Sequence, residues 1–166
     1  MIESLKKLIE ALRDELKNYG EMLALLERQQ GYLVARAATE MSQSIHLIQA
    51  QGLLIHEVRE WREQCRWAVA EAAGQDESAC FADLIPLLPS DYQPLVQALV
   101  DENNELLFRV RRRARQNHLI LKRSVELMQE VMNSLCPAIQ TLVRNGRDKS
   151  LTPLGLAQEL HEEAKL

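Results

Sequence analysis

The chain contains four histidines that could take part in metal binding or acid–base chemistry: His46, His56, His118 and His161. A di-iron site in a helical bundle uses Glu-x-x-His motifs, because that spacing puts both ligands on one helix face. None of the four histidines has a glutamate three residues before it. His56 and Glu57 lack the second histidine of a zinc protease motif. The sequence therefore predicts no metal site.

Three cysteines are the other reactive side chains, and they lie far apart at Cys65, Cys80 and Cys136. Their number is odd and they form no C-x-x-C pair, which argues against a disulfide framework and a zinc site. The chain also lacks a phosphate-binding loop and a nucleophile elbow. We therefore predict that the protein is not an enzyme, has no catalytic residue and uses no cofactor.

Five arginines lie within seven positions, at Arg109, Arg111, Arg112, Arg113 and Arg115. On a helix they spread over most of the circumference, and no aromatic residues interleave with them for base stacking. The net charge of −4 also disfavours a general nucleic-acid binder. We expect a solvated segment with ion pairs to acidic neighbouring helices. Contact with RNA, lipid or an acidic partner protein stays open.

Two apolar stripes follow the basic segment. One comprises Ile120, Leu127 and Val131, and the other begins one residue later. Together they form an arc wider than a two-helix seam requires, so something else must cover it. The chain's own helices, a second copy or a partner's amphipathic helix could do so. Methionine suits a surface that repacks around different partners. The second stripe consists of Leu121, Val125, Met128, Met132 and Leu135, and continues to Ile139 and Leu142 if the helix resumes.

The elements that carry these residues are predicted to be helices. The 166 residues include only six glycines, five prolines and 4% aromatics, whereas good helix formers are abundant. Apolar residues recur at alternating steps of four and three from Leu5 to Leu33, as in a heptad seam. The prediction is an all-α fold, an elongated antiparallel bundle of three long helices plus a short C-terminal helix. The long helices are expected at about 3–37, 41–73 and 91–136.

Several local signals mark the breaks between these helices. The first stripe weakens after Ala37 and resumes out of register, with Thr39 and Ser42 as candidate N-caps. One helix over 3–73 would be roughly 105 Å long, which is excessive for a compact domain. Gly74 is a natural residue just past a helix C-terminus. The prolines and apolar residues of 74–91 predict a loop that packs over the end of the bundle.

Pro137 separates the predicted bundle, residues 1–136, from a C-terminal segment, 137–166. This segment contains a short amphipathic helix with Leu154 and Leu160 on one side, and it would be marginal alone. We expect it to bind a substrate or to act as a lid. The N-terminus lacks the apolar core of a signal peptide, and no run is long enough to span a membrane. A cytoplasmic protein without stable membrane insertion is predicted.

Two segments carry a family likeness. The run Leu-Leu-Pro-Ser-Asp-Tyr-Gln-Pro-Leu at 87–95, and the helix end from Asn117 to Met128, resemble the FlgN-type flagellar export chaperones. That family shows an "LLP…Y…L" entry and an "N-x-L-L-x-x-S-L-x-L" ending on its last long helix. The Leu/Glu/Arg-rich residues 23–36 are similar to its first helices. The likeness covers about 1–136, of which roughly 40 residues are distinctive.

The resemblance implies a cytoplasmic all-α chaperone of type III flagellar export. Its substrates would be hook-associated proteins of the hook–filament junction, bound through their C-terminal amphipathic helix and presented to an export-gate component. Members often carry a tyrosine-and-glycine segment near the C-terminus, whereas here Gly146 is present and the last tyrosine is Tyr92. The implied site lies on the late third helix and the tail, and we assign it to Met128, Val131, Met132, Leu135, Ile139, Leu142, Leu154 and Leu160.

Two other functions compete with the chaperone. The same apolar arc could join two copies in a structural coiled-coil homodimer or scaffold. A regulatory module could bind RNA or protein through the arginine segment 109–115. We favour the chaperone and expect no nucleic acid among its partners.

Overall fold

The computed structural model describes residues 1–135, and all the regular structure in that range is helical. The long helices are α1 (Ile2–Ala35), α2 (Ala38–Ala72) and α4 (Gln93–Leu135). The short helix α3 (Phe81–Leu84) and a 3₁₀ turn (Ile85–Leu87) lie between α2 and α4. The prediction of an all-α fold is confirmed. The predicted short C-terminal helix lies outside the described residues.

The first two long helices are separate. Arg36 adopts the left-handed conformation with φ of 54°, and its N–H bonds the carbonyl of Leu33, which ends α1. Ala37 is the N-terminal cap of α2, so the prediction of Thr39 or Ser42 as the cap was wrong. The alternative of one continuous helix over 3–73 is also wrong, because the left-handed residue reverses the chain.

Contacts divide the chain into two units, Met1–Leu121 and Lys122–Leu166. In the first unit, one apolar core draws on α1, α2, the connection and α4. The heptad spacing of α1 places its apolar side chains in that core, as the sequence predicts. The core consists of Leu5, Leu8, Ile9, Ala11 and Leu12 of α1, Cys65 and Val69 of α2, Leu88 of the connection, and Val96 and Leu99 of α4.

The connection between α2 and α4 closes over this core. Gly74 follows α2 with φ of 69°, a conformation that glycine adopts without steric penalty. Leu84 and Leu88 are buried, as expected for a loop that packs its apolar residues. The side-chain amide of Gln93 donates to the carbonyl of Leu88 at 2.7 Å, which ties the start of α4 to the turn before it.

Side-chain amides fix the direction and register of the long helices. Gln51 donates to the carbonyl and side-chain oxygens of Asn18, which pairs α2 with the middle of α1. Asn103 donates to the carbonyl of Leu12 at 2.9 Å, and Asn117 donates to that of Leu26 at 2.7 Å. The donor and the acceptor both advance by two heptads between these bonds. Helix α4 therefore runs parallel to α1 within the first unit, while α2 runs antiparallel to it.

Candidate protein-binding surfaces

The late part of α4 carries the predicted partner-binding residues. Met128, Val131 and Met132 are 64%, 53% and 65% exposed, although all three are apolar. Leu135 is the last residue of α4. Four further predicted residues lie outside the described part of the chain: Ile139, Leu142, Leu154 and Leu160. The structure therefore leaves the assignment of the complete surface as a prediction.

The exposed apolar residues of late α4 share one length of helix, which we call the methionine face. Every residue from Leu121 to Ser134 is exposed, so the apolar residues of both predicted stripes are exposed within that range. Its members are Leu121, Val125, Leu127, Met128, Val131 and Met132. An apolar surface of this kind gains free energy when a partner's apolar side chains exclude water from it, by roughly 25 cal/mol per Å². The face is therefore suited to binding an amphipathic helix.

Helix α2 presents a second exposed apolar row that sequence reasoning missed. Leu47, Leu54 and Trp61 are about half exposed and lie seven residues apart, which puts them on one side of the helix. The two tryptophans of this helix, Trp61 and Trp67, are 47% and 42% exposed. The heptad step in the sequence was the available signal.

A buried charge cluster joins α1 to α2. Glu15 is almost fully buried, and one of its carboxylate oxygens accepts a hydrogen bond from the Tyr19 hydroxyl at 2.8 Å. Its other oxygen lies 3.5 Å from Nε of Arg62. Arg62 also stacks over the ring of Phe81, with 5.9 Å between the guanidinium carbon and the ring centroid. The cluster holds α2 and the start of α3 against α1.

Burial and the neighbouring carboxylate of Glu15 raise the pKa of the Tyr19 hydroxyl. Desolvation, followed by the hydrogen bond and charge of Glu15, raises the pKa of Tyr19 to about 12. A cavity of about 140 Å³ lies beside the cluster and is also lined by Asn103 of α4. Its ionisable lining residues are Glu15, Tyr19, Arg59 and Arg62, and Glu15 contacts each of the other three. A structural role accounts for its contacts.

The histidines and cysteines within residues 1–135 are not brought together. His56 pairs with Glu60 at 3.2 Å on the surface of α2, while His46 and His118 are exposed. Burial raises the pKa of the Cys65 thiol, and Cys80 bonds the side chain of Asp83. No cluster of three potential metal ligands occurs among the described residues. His161 and Cys136 lie outside them.

The five arginines behave differently from the sequence expectation. Arg113 lies 3.5 Å from a carboxylate oxygen of Glu27 and also donates to Gln30. Within residues 1–135, the other four have no carboxylate partner: Arg109, Arg111, Arg112 and Arg115. The prediction of ion pairs to acidic neighbouring helices is therefore wrong for four of the five in the described part of the chain.

Comparison with known proteins shows which family the chain belongs to. Residues 1–151 match the model of the family described as FlgN protein. No curated protein and no solved structure matches the chain significantly. Within residues 1–135, no helix is long and apolar enough to cross a membrane. The family match includes α1, α2 and α4 as well as the methionine face.

Proposed function

The chain belongs to the FlgN family of flagellar export chaperones, and from that premise we propose its substrates and mechanism. It binds the C-terminal amphipathic helix of hook-associated proteins from the hook–filament junction. This binding takes place in the cytoplasm before export, prevents premature assembly and aids delivery to the export gate. The family is a chaperone family rather than an enzyme family, and the mechanism we propose requires no chemical step.

The exposure of the methionine face is the observation that carries this proposal. A terminal helix that assembles with neighbouring subunits has an apolar side, and this side must be covered while the protein waits for export. Met128 and Met132 are about two-thirds exposed one turn apart on α4, so they can contact successive turns of a bound helix. Their unbranched side chains adapt to different apolar partners, which suits a chaperone with more than one substrate.

The C-terminal segment completes the proposed surface. Ile139, Leu142, Leu154 and Leu160 are apolar residues that follow the methionine face in the chain. We assign them either to the substrate surface or to a lid that a substrate displaces. Hydrogen exchange on residues 145–166, with and without a junction peptide, tests the lid. An unchanged exchange rate throughout the segment contradicts it.

Calorimetry with synthetic peptides tests the substrate assignment. The peptides are the C-terminal 40 or so residues of the junction proteins from the same organism, with the C-terminus of flagellin as the control. We expect roughly micromolar affinity for a junction peptide, because ordering a disordered segment offsets part of the contact energy. Binding by flagellin alone, or by no peptide to a folded protein, refutes the substrate assignment.

A pair of double variants tests the site. Met132→Asp with Leu135→Asp places two charges on the proposed surface and should abolish junction-peptide binding without loss of far-UV helicity. Val34→Asp with Leu53→Asp is the matched control, because those two side chains are the most exposed large apolar ones elsewhere among residues 1–135, at 74% and 68%. The site is wrong if the first variant still binds, or if the control loses binding equally.

Self-association is a second candidate function, and the row of Leu47, Leu54 and Trp61 on α2 favours it. Apolar residues at steps of seven can form one side of a coiled-coil seam between two copies. In this alternative the protein is a structural homodimer or scaffold. Light scattering over a range of concentrations separates the two. A dimer that loses association when Leu54 becomes aspartate supports the scaffold, and a persistent monomer excludes it.

A further inference from the structure

We infer that the middle of α4 is a docking face for an acidic amphipathic helix of a partner protein, separate from the methionine face. The arginine face, as we call it, consists of Phe108, Arg109, Arg112, Arg115 and Leu119. All five side chains are exposed and lie within the first unit of the chain. This inference does not depend on the identity of any export substrate.

The positive charge of residues 106–125 favours a partner that carries negative charge. Residues 106–125 contain seven lysines and arginines and no aspartate or glutamate, in a chain whose net charge is −4. Arg109 and Arg112 line a groove of about 300 Å³ between α4 and α1. Within residues 1–135, neither has a carboxylate partner, whereas neighbouring Arg113 is already paired with Glu27. Free guanidinium groups beside a groove bind carboxylates well, because their donors match the two carboxylate oxygens.

Apolar side chains within the same face select a protein partner over nucleic acid. Phe108 is 65% exposed and Leu119 is 57% exposed, and they lie eleven residues apart on the side that carries Arg112 and Arg115. Aromatic and arginine side chains together are typical of the energetic centre of protein interfaces. Leu23 of α1 supplies a further apolar residue to the groove wall.

Carboxylates limit the length of the site and disfavour a continuous polyanion. Glu27 lies in the groove with half of its side chain exposed, and it would repel a phosphate or a carboxylate placed beside it. A helix can present a neutral side chain at that point, whereas a nucleic-acid backbone carries a charge on every phosphate. The basic segment is bounded by Glu105 and Glu126 in the sequence. The arginine face itself, from Phe108 to Leu119, spans about 17 Å of helix, which a short partner helix can cover. The occupant is therefore a short helix with leucine-like and glutamate side chains.

Fluorescence anisotropy on the full chain tests the docking face with a defined probe. The probe is an 18-residue labelled peptide with leucines at helical spacing, flanked by glutamates, and its twin has glutamine in place of every glutamate. We expect the glutamate peptide to bind at least about tenfold more tightly than its twin at low salt, and less tightly as salt rises. Equal binding of the two peptides, or none by either, overturns the inference.

Matched variants locate the binding. Arg109→Ala with Arg112→Ala should weaken the glutamate peptide about tenfold, and Phe108→Ser should weaken it several-fold. Arg13→Ala with Arg28→Ala removes the same charge from exposed positions on α1 and should change affinity less than about twofold. Equal loss in the two arginine pairs would show general attraction rather than docking. Circular dichroism verifies that every variant is folded.

Two further probes test the class of partner. An 18-nucleotide oligouridylate and vesicles of phosphatidylglycerol present phosphate instead of carboxylate. The inference requires both to bind more weakly than the glutamate peptide at the same salt concentration. Tighter binding of either one, lost in the Arg109/Arg112 variant, would assign the arginine face to nucleic acid or to membrane and overturn the protein partner.

Discussion

Helices α1 and α2 have nearly the same length but opposite relations to solvent. Of the 34 residues of α1, eleven are buried, and most of these are large and apolar. Of the 35 residues of α2, five are buried, and none is larger than glutamine. Six large apolar side chains of α2 are exposed instead: Ile45, Leu47, Leu53, Leu54, Trp61 and Trp67. Helix α1 packs against both α2 and α4, so it needs a wide apolar arc, whereas α2 keeps an apolar side free.

The contrast separates residues that stabilise the fold from residues available for partners. A large apolar residue on α1 contributes to the free energy of unfolding through burial. A residue of the same type on α2 contributes little, because it stays partly hydrated in the folded state. Three pairs of substitutions, given from the largest expected effect to the smallest, test which residues stabilise the fold.

The largest effect is expected from leucine truncation on the two helices. Leu12→Ala removes a side chain that is 1% exposed and should lower the free energy of unfolding by about 2–5 kcal/mol. Leu54→Ala, at 47% exposed, should change it by about 0.5 kcal/mol or less. Urea denaturation monitored by circular dichroism measures both. Similar losses in the two variants would remove the distinction between the helices.

An intermediate effect is expected from removing one carboxylate on each helix. Glu15→Ala removes the acceptor of the Tyr19 hydroxyl and the charge beside Arg62, which keeps its pair with Glu63, and should destabilise the protein by about 2 kcal/mol. Glu60→Ala breaks only an exposed pair with His56 and should cost about 0.5 kcal/mol or less. The same denaturation experiment applies. A stable Glu15→Ala variant would show that the buried cluster is dispensable.

The smallest effect at neutral pH is expected at Tyr19. Tyr19→Phe removes the hydrogen bond to Glu15 and should destabilise the protein by about 1 kcal/mol. Because folding raises the pKa of Tyr19 from 10.0 to about 12, the neutral phenol stabilises the fold below pH 10. That contribution is lost as the pH rises through 12, since the unfolded chain ionises first.

Alkaline denaturation checks this sign. The wild-type protein should lose more stability between pH 10 and 12 than the Tyr19→Phe variant does. Tyr32→Phe serves as the control, because Tyr32 lies near the end of α1, is only partly buried and is away from the Glu15 cluster. An identical alkaline loss in wild type and Tyr19→Phe would contradict the assignment of the raised pKa to Tyr19.

The sequence predicts helices well where one face is consistently apolar. The stripe that includes Leu5, Leu12 and Leu26 predicts both α1 and its buried side. Gly74 marks the end of α2 because few other residues adopt positive φ there without strain. The apolar arc on late α4 is wider than packing within a helical bundle requires, which predicts that some of its apolar residues are exposed. These features depend on local spacing and on backbone geometry.

Features that depend on pairing between distant residues could not be predicted. Glu15, Asn103 and Asn117 look like surface residues in the sequence, but they are buried beside groups on other helices. Glu15 lies next to Arg62 of α2, and the two asparagines donate to main-chain carbonyls of α1. The exposure of Trp61 has the same origin, since it depends on how α2 is rotated against α1. The arginines of α4 were assigned ion pairs that, among the described residues, only Arg113 makes.

Two asparagine hydrogen bonds join α4 to α1 at two separate points along the helices. Asn103 and Asn117 each donate to a main-chain carbonyl of α1. The two donors lie fourteen residues apart on α4, and the two acceptors lie fourteen residues apart on α1. Sliding α4 by one heptad would preserve the apolar pattern but would leave both amides opposite other carbonyls in changed surroundings. Because main-chain carbonyls occur at every position of α1, the bonds to Leu12 and Leu26 alone would be compatible with such a shift. Asn117 also donates to the side-chain oxygen of Gln29 at 2.9 Å, and a shift by one heptad would break that bond. The choice of register therefore depends on side chains of both helices.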